Sequence, residues 1–203
     1  MMPPFVTRNS FTEESHPWEF HIPQNADKLL LGTFPSEEKN RKQPFFYCSQ
    51  TNRFWDVLAR VADTQVSALS AETAIKGRQD ILSALRLGLT DMGKIVLRQR
   101  DSSNDHSLFP IEFMDIIQLV NDHPGIRTLI VSGDLDGNSS LSWFGTYCSL
   151  NKVTIKLREL KDTRRTTVHI VDREISVLLG YSTSGNSRKT TEVLIQTYKS
   201  ILL

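Results

Sequence analysis

The sequence predicts an α/β fold, a three-layer αβα sandwich around a central, mostly parallel sheet. Three observations carry this. Apolar runs of strand length recur at residues 28–31 (KLLL), 127–132 (RTLIVS) and 177–180 (VLLG), as strands buried on both faces require. Segments with helical spacing separate them, the alternation that builds a parallel sheet. Two of the runs open into small polar turns, GTFPS (Gly32, Thr33, Phe34, Pro35, Ser36) and STSGNS (from Ser182), about 150 residues apart. In open α/β sheets such loops gather at the carboxyl ends of strands, where ligands bind, so the two turns point to one pocket closed from both ends of the chain.

The elements follow in order. Residues 1–20 are polar and contain proline, and read as a loose arm on a single domain spanning 1–203. Residues 28–31 form a strand stopped by Gly32. A charged loop at 37–50 ends in aromatics. Thr51 or Asn52 can cap a helix over 53–61, whose Phe54, Val57, Leu58 and Val61 share one face. A second helix spans 71–87, with Ile75, Ile81, Leu82 and Leu85 inward and Gly88 as its breaker. Residues 89–92 read as a second short strand, 109–121 as an amphipathic helix, and 127–132 as a strand ending at Gly133. A helix over 139–150 presents Trp143, Phe144 and Tyr147. Residues 152–157 and 166–171 look like strands joined by a basic turn. After the strand at 177–180, Asn186 or Ser187 caps a last helix reaching Leu202.

Composition narrows the function classes. With 39% hydrophobic residues in 203, the chain can bury a core. A net charge of +1 neither demands nor excludes nucleic acid, which needs only a local basic face. Two cysteines, Cys48 and Cys148, are too few for a disulfide framework or an iron–sulfur cluster and fit a reducing cytoplasm. No secretory leader is evident, and no run approaches the roughly 18 apolar residues of a membrane span. The histidines at 16, 21, 106, 123 and 169 lack ligand spacing and are read as structural, with no metal or cofactor expected.

Four segments can carry chemistry together. In GTFPS, Gly32 and Pro35 shape a turn that leaves backbone N–H groups to donate, although a plain strand-to-loop turn reads the same way. In PFFYCSQTNRFW, Phe46 and Tyr47 can stack on a base, Phe54 and Trp55 read as core, and Asn52 is either a cap or an amide that both donates and accepts. In GLTDMGKIVLRQRDSSND, Asp91 ends a short apolar strand where a carboxylate meets the pocket, and a buried carboxylate needs partners. Lys94, Arg98 and Arg100 suit a solvated face or phosphates. In YSTSGNSRKT, Ser182, Thr183, Ser184, Gly185 and Asn186 suit close approach to a phosphate backbone, with Arg188 and Lys189 behind them at a helix start.

The order of these segments, GTFPS, then FFY with NRFW, then GLTDM before DSSND, then STSGN, resembles the uracil-DNA glycosylase superfamily. The likeness is closest to its hypoxanthine-DNA glycosylase-like and mismatch-specific branches and covers residues 16–203. HPWEFHIPQNADKLLLGTFPS likewise resembles the usual lead into the first motif. The resemblance implies a four-stranded parallel sheet and a metal-free, cofactor-free excision enzyme. Such an enzyme extrudes a deaminated base, hypoxanthine or uracil, and cuts its N-glycosidic bond, because that bond is inaccessible in the stack. It also implies a monomer acting on DNA with a damaged or mismatched base, in the bacterial cytoplasm and on the nucleoid. The first motif would contact base and sugar, FFY would stack on the base, Asp91 would read its polar edge, and the last motif would pinch the backbone.

The departures are informative. Phe34 stands where the archetypal uracil enzymes have a water-activating Asp, Asp91 where they have a base-reading Asn, and Ser182 or Thr183 where they have a His. The hypoxanthine-type YGHPxNRFW becomes YCSQTNRFW, which keeps Asn52, the residue carried over as catalytic. Its expected task is to position water, with the N–H groups of Thr33 and Phe34 stabilising charge on the leaving base. An ionised Asp91 only accepts, so it favours a base edge with an N–H. The lost Asp and His keep a second reading open, a catalytically silent relative that binds nucleic acid or a free base. A small-molecule enzyme on the same sandwich has no cofactor motif behind it.

Overall fold

The structure is a computed structural model and describes residues 11–41, 44–64, 71–99, 107–135 and 137–203. Its main sheet contains β2 (Phe20–His21), β3 (Lys28–Gly32), β4 (Leu87–Asp91), β7 (Thr128–Ser132), β8 (Arg165–Ile170) and β9 (Arg173–Gly180). The strand order is β2-β4-β3-β7-β9-β8. The middle four, β4, β3, β7 and β9, are parallel, and β2 and β8 close the edges antiparallel. The sheet is therefore six-stranded rather than four-stranded, with a parallel set of four at its centre.

Alternation along the strands divides the core. Leu29, Leu31, Leu129 and Val131 face α3 (Ile116–Asp122) and α4 (Ser140–Leu150). Leu30, Ile130, Leu87 and Leu89 face α1 (Phe54–Val61), α2 (Ala71–Ala84) and α6 (Thr191–Leu202). A strand buried on both faces must be apolar at successive positions, which is why KLLLG and TLIVS read as continuous apolar runs. No helix among the described residues is long and apolar enough to cross a membrane.

A second, three-stranded antiparallel sheet, β1 (Phe11–Ser15), β5 (Gly93–Gln99) and β6 (Leu108–Phe113), stands beside the first. It corrects two sequence expectations. Residues 11–15 are not a loose arm but an edge strand in register with β5; residues 1–10 lie outside the described part. Residues 109–121 are not one helix, because 108–113 extend along β5 and α3 begins only at Ile116. Pro110 fits there because β6 is an edge strand, where a missing N–H costs no ladder bond.

Arg98 is neither a surface nor a phosphate-facing residue. It is 3% exposed, chelates Glu14 through Nε and Nη2 at 2.9 and 3.1 Å, and donates to the Pro35 carbonyl at 2.8 Å. It thereby ties the small sheet to the GTFPS turn. Lys94 pairs with Glu112 at the surface, whereas Arg100 and the 101–105 stretch fall outside the described residues. We expect Arg98→Leu to cost about 2 kcal/mol, because it strands a partly buried carboxylate and a loop carbonyl. Thermal unfolding should show a fall in Tm of roughly 6 °C.

Residues 152–157 form no strand. Val153, Ile155 and Leu157 pack against the core without a ladder, and α5 (Leu157–Thr163) occupies the place of the expected basic turn. The last helix is capped by Thr190, whose hydroxyl accepts from the Val193 N–H, and not by Asn186 or Ser187.

Candidate active site

The carboxyl ends of all four parallel strands open into one polar cavity of about 630 Å³. After β3 come Gly32 to Ser36, at the end of β4 Asp91, at the end of β7 Ser132, and after β9 Ser182 to Asn186. The chain passes from β3 to β4 on one side and returns to β7 on the other, so the cavity lies at the topological switch point of the sheet. The two turns singled out in the sequence are thus its opposing walls. Residues 47–52 form a third wall.

Asp91 is nearly buried, and its partner is His16. The imidazole Nε2 and the carboxylate Oδ2 are 2.8 Å apart, and the two side chains are 1% and 9% exposed. The Trp18 backbone N–H donates to His16 Nδ1 at 3.0 Å. Nδ1 therefore carries no proton, and Nε2–H donates to the carboxylate. Phe34, Phe46 and Trp18 box the imidazole, with ring centroids 5.4–5.9 Å away. The other oxygen, Oδ1, lies over Gly32, where a Cβ would meet it at 1.8 Å and the Tyr47 hydroxyl at 3.0 Å. Only glycine at 32 lets the carboxylate and the phenol converge on the strand end. His16 is a site residue that the sequence hides, since it falls within the stretch that reads as a loose arm and lacks ligand spacing. The signal available was its place in HPWEF, ahead of the first motif.

Asn52 joins the third wall to the last motif. Its Oδ1 accepts from the Phe54 N–H at 3.0 Å and from the Thr183 hydroxyl at 2.9 Å, while the Arg53 N–H donates to the Thr183 carbonyl at 3.0 Å. Two donors on one oxygen fix which way the amide points. The amide nitrogen is then the group Asn52 offers to the cavity. The Arg53 guanidinium holds the following loop by the carbonyls of Ser187 and Lys189, and a Cβ at Gly185 would sit 2.7 Å from Thr51. Thr183 is 4% exposed. The backbone N–H groups of Thr33 and Phe34 have no hydrogen-bond acceptor among the described residues.

The remaining expected site residues divide. Tyr47 lines the cavity in a left-handed conformation (φ 52°), with its ring stacked on Phe54 at 3.8 Å. Phe46 does not line it. It is 2% exposed, packs on Trp18 and His16, and its carbonyl accepts from the Trp55 indole. Phe34 contributes backbone to the cavity and ring to the core. Arg188 and Lys189 are exposed beyond the rim, and the Lys189 ammonium sits 4.5 Å over the Tyr181 ring.

Cys48 also lines the cavity. Burial pushes its thiol up, offset in part by Arg41 and Arg78, so it stays a thiol rather than a nucleophilic thiolate. Burial raises the Tyr198 phenol as well, and its hydroxyl donates to the Tyr181 carbonyl at 3.0 Å. Among the described residues no group of three or more His, Cys, Asp or Glu could hold a metal ion.

No protein-family profile matches the chain. It is 28% identical over 112 residues to the hypoxanthine DNA glycosylase of Methanosarcina acetivorans, a match spanning 55% of this chain and 66% of that relative. Its fold is similar to the solution structure of a proposed uracil DNA glycosylase, also from Methanosarcina acetivorans. The TM-score is 0.61 at 20% identity, covering 94% of this chain and 97% of that one.

Proposed function

We infer from these likenesses, which support the uracil-DNA glycosylase superfamily and its hypoxanthine-glycosylase-like branch, that this chain is a monofunctional DNA glycosylase for deaminated bases. The observation that carries the reading is the pairing of two oriented groups in one cavity at the sheet switch point: an acceptor carboxylate, Asp91, and a donor amide, Asn52. A nucleotide flipped into the cavity presents its base edge to the strand ends. Asp91 accepts an N–H of hypoxanthine or uracil through the oxygen that His16 leaves open. The C1′–N bond breaks with its electron pair going to the base. Water supplies hydroxyl to C1′ and a proton to the base.

Charge developing on the base needs donors. The Thr33 and Phe34 N–H groups and the Asn52 amide nitrogen suit that task. Because the Asn52 oxygen is already taken twice, we assign Asn52 to the leaving base rather than to accepting a proton from water. Tyr47 closes the pocket wall, and the 182–186 loop meets the lesion strand.

Duplexes carrying hypoxanthine, uracil or xanthine, incubated with the protein and then treated with alkali, test this directly. Strand breaks at the lesion support excision, whereas intact DNA with a retained gel shift sinks it in favour of binding alone. Docking has its own test. Arg188→Ala with Lys189→Ala should weaken binding to every sequence alike. It should flatten the log–log salt slope by about 2, at roughly 0.9 per neutralised phosphate, leaving base choice unchanged. An unchanged slope moves the DNA elsewhere, with the basic 158–165 segment next to be tested.

A further inference from the structure

We propose that His16 is a positioning residue that makes Asp91 a fixed hydrogen-bond acceptor, and so selects deaminated bases over their amino parents. This rests on the cavity being a base pocket, and goes beyond it by naming what sets the pocket's chemical choice. Hypoxanthine and uracil carry a ring N–H where adenine and cytosine carry a bare lone pair. A carboxylate attracts the first and repels the second, but only while it keeps one oxygen aimed at the base. A carboxylate that is free to turn swings that oxygen off the base edge, and the choice between the two edges is lost with it.

The surroundings of Asp91 remove that freedom. His16 donates to Oδ2, not to the oxygen over Gly32. The imidazole cannot turn around, because its Nδ1 is held by the Trp18 N–H and its faces and edges by three aromatic rings. Its protonated nitrogen can therefore aim only at Asp91. The ring is 1% exposed, so His16 acts on a ligand through the carboxylate rather than by touching it. The mechanism proposed above gives His16 no proton to move, which leaves orientation as its role.

The test measures binding of free hypoxanthine and free adenine by chemical-shift titration, with the melting transition as a check on folding. Wild type should bind hypoxanthine at least tenfold more tightly than adenine. His16→Leu should bring that ratio to near one. His16→Gln, whose amide can still donate to Oδ2, should restore it to within about threefold. A folded Leu variant with the wild-type ratio overturns the proposal, as does a wild type that binds the two bases equally or binds neither. A Gln variant as indiscriminate as Leu overturns it too, since ring packing would then be what matters.

Should the Leu variant fail to fold, the 15N spectrum of wild type decides. A His16 protonated at Nε2 with Nδ1 bare supports the arrangement, and a protonated Nδ1 overturns it. Selective binding of hypoxanthine with lesion duplexes left intact would remove the excision reading and leave the His16 role standing. Excision by wild type, with base selectivity indifferent to His16, would do the reverse.

Discussion

Asn52→Ala should lower excision by about two orders of magnitude or more, the usual loss when one donor to a developing charge is removed. The same change removes the acceptor for the Phe54 N–H and the Thr183 hydroxyl, so it should also cost about 1 kcal/mol of stability. Asn52→Asp separates the two effects. An aspartate keeps an oxygen for both donors and replaces the amide nitrogen by a second oxygen. It should therefore keep most of the stability and lose as much activity as Ala, because it sets negative charge against a leaving base. Single-turnover excision at equal folded protein, with a melting curve for each variant, measures both. Activity retained in the Asp variant would transfer Asn52 to the water, and activity retained in the Ala variant would reduce it to a cap.

Asp91→Asn should cut hypoxanthine excision by about a hundredfold or more and raise the ratio of uracil to hypoxanthine excision. The structure fixes how the new amide must sit. His16 presents a donor, so the amide oxygen takes the place of Oδ2 and the amide nitrogen replaces the oxygen over Gly32. A donor then stands where an acceptor stood, and uracil, with a carbonyl on each side of its ring N–H where hypoxanthine has one on a single side, has more acceptor edge to offer it. Sites built to bond one polar edge reject the wrong edge strongly, because the unmatched groups are left unpaired in a desolvated pocket. Competition between the two lesions in one reaction reads the ratio directly, and an unchanged ratio removes Asp91 from base reading.

The parts of the fold legible in the sequence are those whose burial leaves a local trace. Leu29–Leu31 and Leu129–Val131 are apolar at every position because both faces are covered, and the turns after β3 and β9 are cavity walls. FTEES gave no such trace. β1 lies on a sheet edge, and what holds Glu14 is Arg98, 84 residues away. The alternation in 152–157 satisfies a half-buried surface with or without a partner strand, and here there is none. At the site, Asp91 and Asn52 could be singled out from their place in strand and helix, yet which way the Asn52 amide points depends on Thr183. Phe46 and Tyr47 are adjacent aromatics with similar local preference, and only the packed structure sends one to the core and the other to the cavity.

The bond between Asn52 and Thr183 spans 131 residues, and that separation has a kinetic consequence. During synthesis, the first half of the site exists long before the strand that carries its other wall. Closing so long a loop costs chain entropy that the β7–β9 pairing and the packing of α6 against α1 recover. A nascent chain that has made β3, α1 and β4 already holds Asn52 and Asp91, but the amide is then held only by the neighbouring Phe54 N–H. The second bond to its oxygen, from Thr183, forms when the last strand docks. The pocket should therefore gain its directional polarity in the closing step of folding, so that partly made or C-terminally clipped chains carry the reactive groups without the arrangement that lets them act on DNA.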